Sequence, residues 1–298
     1  TWHGGASAGP FRTYINAYGE DWTLRIAPEL YLKRLVVGGS GPVYELGRDF
    51  RNEGADATHN PEFTVLEAYR PYADYVQMRE LTERLIKDAA QAVFGSVSLP
   101  LGRKASSERV VRDVSGPWRV VSVCDALSEA LGRRVDVQTD FEELLALAQQ
   151  HGVRVHEGMG PGAIVEELYG ELVEVHTVEP TFYTDFPAET SPLAAPHRSV
   201  PGLAERWDLV INGMEMGCAY SELADPQVQR EGRTEQSLEA ASGDLEAREV
   251  DEDSLYALET GMPPTGGLGL GVDRLVMLLA QTQIRGVLSF PFVKPERS

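Results

Sequence analysis

The chain has 298 residues, 42% of them hydrophobic, and a formal net charge of −19. That length allows one large domain or two small ones around a proper core, and no apolar run approaches membrane-spanning length. The acidity makes this chain alone a poor candidate for tight nucleic-acid binding, since phosphate backbones attract basic surfaces.

Cys124 and Cys218 lie far apart, and the six histidines are scattered without a zinc pattern. Both thiols therefore read as free, in a reducing, cytoplasmic compartment. The chain begins Thr1-Trp2-His3, without methionine or a signal-like segment, and reads as a piece of a longer polypeptide.

Pro28 to Val37 reads as a short helix, opened by proline and stopped by Gly38-Gly39. The alternating run from Val43 to Phe50, closed by Arg51 and Glu53, reads as a strand. Gly54 to Pro61 reads as a mobile polar loop and Phe63 to Tyr69 as the antiparallel partner strand. Such a hairpin holds Arg51, Glu53, Glu67 and Tyr69 in fixed relation. A guanidinium there forks onto a carboxylate or phosphate, and the carboxylates receive an amino group. The combination suits a ligand carrying both ammonium and anionic groups.

Asp74 can cap a longer helix with Tyr75, Met78, Leu81, Leu85, Ala89 and Val93 on its buried face. Residues 96 to 118 read as hairpin and loop. Helices follow over Cys124 to Leu131, Phe141 to Gln150 and Ile164 to Val175, the second with Thr139 and Glu142 in capping-box spacing. Thr181 to Phe186 reads as a short buried strand. With no repeat and no linker, the expectation is one domain over 1–298 with a helical insertion near 120–176.

Trp207 to Ile211 and Met214 to Tyr220 flank Asn212-Gly213, a strong hairpin signal. A two-residue turn pairs Val210 with Glu215 and Asp208 with Gly217, placing Asp208 and Glu215 on one face, close enough to share a divalent cation. Tyr220 and Glu222 then fall on the other face, unless a bulge near Gly217 to Ala219 breaks the alternation. Glu235 to Asp253 is strongly acidic and reads as a solvated helical face. Thr265 to Leu279 reads as a glycine-rich strand entering an apolar helix from Leu275, with Arg274 at the junction.

Together these segments resemble the class II aminoacyl-tRNA synthetases. FRNE at 50–53, with its loop and the next strand, resembles their second motif, and GLGLGVDR at 267–274 resembles their third. GGASAGPF at 4–11, LRIAPELYLKRLVVGG at 24–39, HNPEFTVLEAY at 59–69 and EMGCAYSEL at 215–223 are similar to the lysine-specific branch. PTFYTDFP and the run from Arg233 through DEDSLYALETGMPPTGG look most like the synthetase portion of two-function lysylphosphatidylglycerol synthetases. In those chains a membrane-embedded lipid transferase precedes the synthetase.

The resemblance implies an α+β catalytic fold, an antiparallel sheet flanked by helices, working on L-lysine, ATP and Mg2+ as a homodimer with tRNA(Lys) as acceptor. Its first motif and any anticodon-binding barrel would lie before Thr1, as would any membrane contact. Arg51 and Arg274 would be the catalytic pair. Arg51, Glu53, His59, Phe63 and Arg274 would hold ATP, with Phe63 and Arg274 sandwiching adenine. Asp208 and Glu215 would bind Mg2+. Gly5 and Glu67 would take the lysine α-amino group and Arg51 its carboxylate. Glu29, Tyr69 and Glu222 would take the side-chain ammonium, with Cys218 and Tyr220 lining the same pocket. Cys218-Ala219, Thr58, Gly9 and Gly286 depart from the pattern of ordinary lysyl enzymes. Two alternatives stay open: adenylation with a protein lysine or small metabolite as acceptor, and a non-catalytic lysine- or ATP-binding paralogue.

Overall fold

The computed structural model describes residues 8–102, 110–156, 158–230 and 252–292. They form two compact units: 8–72 with 224–230, 252–265 and 269–292, and 73–102, 110–156 and 158–223 with 266–268.

The first unit opens with the hairpin β1 (Arg12–Ile15) and β2 (Glu20–Thr23), followed by α1 (Glu29–Val37), β3 (Val43–Phe50) and β4 (Glu62–Pro71). Helix α1 follows Pro28 and stops at Gly38, with Glu29 in its first turn, where the helix dipole favours an anion. Strands β3 and β4 pair antiparallel, with Glu45 opposite Glu67 and Asp49 opposite Phe63. The strand stops at Phe50, so Arg51 and Glu53 stand in the connecting loop rather than closing the strand. The Arg51 amide reaches the Pro61 carbonyl at 2.9 Å. The loop is also more organised than its polar sequence implies: Asp56 Oδ1 accepts from the Thr58 amide at 2.6 Å and the His59 amide at 2.8 Å, an Asx turn. Gly47 leaves room for the Arg25 guanidinium, the end of a flexible side chain that a Cβ there would displace. Arg25 donates to the Arg48 carbonyl at 2.9 Å and pairs with Glu45 and Asp49.

The second unit begins with α2 (Tyr75–Phe94), capped by Asp74 in a capping box with Gln77. Its fully buried stripe is Met78, Thr82, Ile86 and Ala90. Only Met78 belongs to the expected stripe, and Val93 is exposed. The true stripe is an i, i+4 row whose polar member hides its hydroxyl: Thr82 donates to the Met78 carbonyl at 2.8 Å. There follow the hairpin β5 (Ser98–Leu101) and β6 (Val110–Asp113), then β7 (Arg119–Ser122), α3 (Val123–Leu131), α4 (Phe141–His151), α5 (Pro161–Leu172) and β8 (Thr181–Thr184). Asp140, not Thr139, caps α4 by accepting from the Glu142 amide, while Thr139 accepts from Asp136. Helix α5 starts three residues earlier than expected, at Pro161, whose fixed φ suits a first helical position. Strands β9 (Arg206–Ile211) and β10 (Met214–Ser221) complete this unit.

The chain then contributes α6 (Glu252–Gly261), β11 (Thr265–Gly271), α7 (Val272–Ala280) and the short α8 (Ile284–Val287). In the first unit β11 lies beside β4, and α1, β4 and α6 share a core of Leu32, Val36, Tyr69, Leu258 and Met262. In the second, the ladder runs β11-β10-β9-β8-β7. The sheet is mixed rather than antiparallel throughout, because β7 and β8 pair in parallel. The three helices between them supply the crossover that a parallel pair needs. One face of β8 and β9 carries Tyr183 and Val210 into a core with α3, α4 and α5. The other carries Phe182 and Trp207, which meet edge to face at 4.9 Å, and the Trp207 indole donates to the Tyr75 carbonyl.

No helix among the described residues is long and apolar enough to cross a membrane. The acidic run expected as a solvated helical face lies mostly outside the described residues, which resume at Glu252. At Gly266 a Cβ would come within 2.6 Å of Met78 Cγ and 2.9 Å of the Asp74 carbonyl oxygen. Gly266→Ala is therefore expected to destabilise the fold by roughly 1–3 kcal/mol through overpacking against backbone that cannot retreat. Denaturant titration reads this directly, and an unshifted midpoint would contradict the close packing of α2 on β11.

Candidate active site

Alternation along β4 places Phe63, Glu67 and Tyr69 on one face of the first unit, with Glu67 opposite Glu45, and Arg51 enters from the loop just after β3. The Arg51 guanidinium lies over the Phe63 ring, 5.0 Å from its centroid, and its Nε donates to the Ile26 carbonyl at 3.3 Å. Phe63 thus already stacks on a cation. Arg274, in the first turn of α7, meets His59 instead, Nη2 to Nε2 at 3.0 Å. The neighbouring Asp273 fixes α7 to β4 by accepting from the Thr64 amide at 2.7 Å. Glu53 is exposed on the loop. Gly5 lies outside the described residues.

Glu67 is buried and accepts from the Tyr69 hydroxyl at 3.1 Å. Burial pushes its carboxyl up to about 8, with Glu29 and Asp49 adding like charge and Tyr69 and Arg51 opposing. Glu29 is not an open acceptor: Lys33, one turn along α1 and equally buried, places Nζ 2.5 Å from Glu29 Oε1 and 5.9 Å from the Tyr69 ring centroid. A lysine ammonium of the protein itself therefore sits against two of the groups expected to receive a ligand ammonium. Sequence reading passed over Lys33, although its i, i+4 spacing from Glu29 is a pairing signal. It also passed over Asp49, fully buried beside Arg25 at 3.1 Å. Burial raises its carboxyl to about 6 against the pull of Arg25 and Arg51.

In the second unit, Asn212 and Gly213 both adopt positive φ, 56° and 67°, as a two-residue hairpin turn requires. The bulge falls between Glu215 and Gly217, slightly before the expected stretch. Asp208 therefore pairs with Cys218 rather than with Gly217, while Glu215 still faces Val210 and Tyr220 faces Arg206. The extra residue restores one face to Asp208, Glu215, Cys218 and Tyr220 together. Tyr220 Oη and Cys218 Sγ are 3.5 Å apart. Burial pushes the Cys218 thiol far up, and Glu215 and Asp208 push it further, which disfavours the thiolate a nucleophile needs. Glu222, buried just past β10, bridges to Ala194.

Asp208 is clamped by Arg206, which sequence reading also missed: Nε to Oδ1 is 3.1 Å and Nη2 to Oδ2 is 2.8 Å. Burial raises the Asp208 carboxyl; Arg206 opposes this and Glu215 adds to it. No cluster of three or more histidine, cysteine or carboxylate ligands occurs among the described residues. Two carboxylates on one face are nevertheless the donor set with which Mg2+ works when phosphate oxygens and water complete its shell. The fork from Arg206 occupies one lone pair on each Asp208 oxygen and leaves the other. The residues present fit that ion.

Residues 1–294 match the family model described as tRNA synthetases class II (D, K and N). Curated relatives include lysylphosphatidylglycerol biosynthesis bifunctional proteins LysX. That of Nocardia farcinica is 56% identical over 294 residues, that of Mycobacterium marinum 56% over 295, and that of Mycobacterium tuberculosis 54% over 299. Each alignment covers 98% of this chain and 26% of the relative, so the chain spans about a quarter of their length. With a family match over nearly its whole length, the chain belongs to the class II tRNA synthetases.

Proposed function

We propose that this chain activates L-lysine with ATP to lysyl-adenylate and passes the lysyl group to tRNA(Lys), as a homodimeric lysine–tRNA ligase. The observation that carries this most is the single face of β4 on which an aromatic ring and a protonatable buried carboxylate stand in register, with a guanidinium over the ring. The similarity to LysX proteins supports lysine as the amino acid and a lipid-directed use of the lysyl-tRNA.

Arg51 holds the lysine carboxylate against the α-phosphate and neutralises charge as the carboxylate oxygen attacks phosphorus and pyrophosphate leaves. Phe63 and Arg274 stack on adenine, with Phe63 offering the ring face that Arg51 does not cover. His59 stands by the polyphosphate and Glu53 meets the adenine amino group. Asp208 and Glu215 would hold Mg2+, which supplies charge neutralisation on the phosphates. Glu67 takes the α-ammonium, aided by Gly5. Tyr69 and Glu222 take the side-chain ammonium, with Cys218 and Tyr220 beside them. Lys33 keeps Glu29 neutralised, so Glu29 acts through that pair rather than by direct contact.

Glu67 makes lysine binding pH-dependent. Its folded-state value lies above the ordinary 4.5. The stabilisation contributed by its protonated form is therefore full below about 4.5 and lost as pH rises through about 8. An incoming ammonium favours the ionised form and expels the proton. The KM for lysine is expected to fall as pH rises from 6 to 8, by up to about tenfold per unit. A KM flat across that range would remove Glu67 from the α-amino site.

Formation of acid-stable lysyl-tRNA from lysine, ATP and tRNA(Lys) tests the acceptor. Adenylate formation without tRNA charging would instead favour a protein lysine or a small metabolite as acceptor, for which the net charge of −19 speaks.

A further inference from the structure

The Arg206 guanidinium poses a problem for a cation site, because it is a positive charge bonded directly to a carboxylate that would carry Mg2+. The structure shows how it is held. Nη1 donates to Glu166 Oε1 at 3.0 Å and to Ser191 Oγ at 3.3 Å, and the guanidinium carbon stands 3.9 Å above the Phe186 ring centroid. Glu166, on α5, is itself fixed by the Thr190 hydroxyl at 2.5 Å. Three contacts besides Asp208 thus immobilise one planar fork, and a bidentate fork sets the plane of the carboxylate it grips. One helical turn from Glu166, the Tyr169 hydroxyl is buried with no hydrogen-bond partner among the described residues, and Asp208 and Glu215 are among the charges around it. A face of α5 therefore looks onto the carboxylate pair.

We propose that Glu166 and Arg206 form a positioning relay from α5 that orients Asp208 for a divalent cation and balances the charge of Arg206. It rests on the reading of Asp208 and Glu215 as cation ligands. Glu166 offsets the charge of Arg206, so the fork orients Asp208 without its full positive charge facing the ion. Without Glu166 the fork loses its anchor and its unbalanced charge competes with the metal. Partners that orient a metal ligand typically govern 10–100-fold in affinity.

The test is Mn2+ binding to the full chain, read as loss of the free-ion electron paramagnetic resonance signal. Glu166→Ala is expected to weaken binding about tenfold. Glu166→Gln keeps an acceptor for Arg206 and Thr190 but not the balancing charge, and is expected to weaken binding by about threefold, clearly less than alanine. Glu167→Gln, which removes an equal charge from the exposed side of α5, is expected to change nothing. Thermal unfolding of each variant checks the fold, and the glutamine variant carries the comparison if alanine unfolds α5. Equal weakening by alanine and glutamine would overturn positioning in favour of net charge alone. Unchanged binding in Glu166→Ala would overturn the relay while leaving Asp208 and Glu215 as ligands. Absence of Mn2+ binding in the parent protein, matched by Asp208→Asn, would overturn both.

Discussion

Replacing Arg51 with alanine is expected to reduce lysine-dependent ATP–pyrophosphate exchange by about 10²–10³-fold, mostly in kcat. The reason is positional. Arg51 follows directly on β3, its amide is fixed to Pro61 and its Nε to Ile26, so the guanidinium is preorganised rather than recruited. Groups already oriented toward developing charge need no reorganisation during reaction and contribute chiefly to the transition state. Arg51→Lys should recover little, since an ammonium cannot fork onto carboxylate and phosphate together. Exchange rates at saturating lysine and ATP settle the matter. A variant that keeps its kcat and loses only affinity would make Arg51 a binding group and leave the acceleration unexplained.

Replacing Glu222 with glutamine is expected to raise the KM for lysine by about 10²-fold or more, with little change in the KM for ATP. A buried carboxylate facing an ammonium makes a charge-assisted pair, and breaking one partner of such a pair typically costs about 3–5 kcal/mol. Glu222 is buried just beyond β10, where water does not stand in for the lost charge. The same variant should narrow the preference for lysine over norleucine, because selectivity against a neutral side chain comes from the charge it would leave unpaired. Steady-state exchange kinetics with both amino acids measure this. An unchanged lysine KM would mean that the side-chain pocket is misassigned.

The elements legible in sequence are those whose local signals agree. Asn212-Gly213 demands positive φ at two successive positions and yields a hairpin; Asp74 with Gln77 yields a capped α2; Pro28 and Gly38 delimit α1. Capping failed where two polar candidates adjoined. Thr139 and Asp140 both suit an N-cap, and only the fold decides that Thr139 serves Asp136 instead. The buried stripe of α2 was misread because Thr82 looks polar until its hydroxyl bonds back to Met78. The parallel pairing of β7 with β8 left no local trace, since it depends on three intervening helices rather than on either strand.

The candidate site divides in the same way. The hairpin pattern was sufficient to group Arg51, Glu67 and Tyr69, though not Glu53, which is exposed on the loop, and alternation along β9 and β10 grouped Asp208 with Glu215. The need for a bulge to bring Tyr220 to that face was also readable, though its position at Met216 was not. Pairing between buried charges was invisible. Lys33 against Glu29, Arg25 against Asp49 and Arg206 against Asp208 and Glu166 are three internal cations that change what each carboxylate is free to do. Sequence marks such residues as charged and hence exposed, whereas burial forces them into pairs.

The most direct test of the central claim is ATP–pyrophosphate exchange with the full chain and a panel of amino acids including lysine, ornithine, norleucine and glutamate. Lysine is expected to support exchange in the presence of Mg2+, with norleucine weaker by several orders of magnitude. No exchange with any amino acid, or exchange that favours norleucine over lysine, would contradict lysine activation by this arrangement of guanidinium groups and carboxylates.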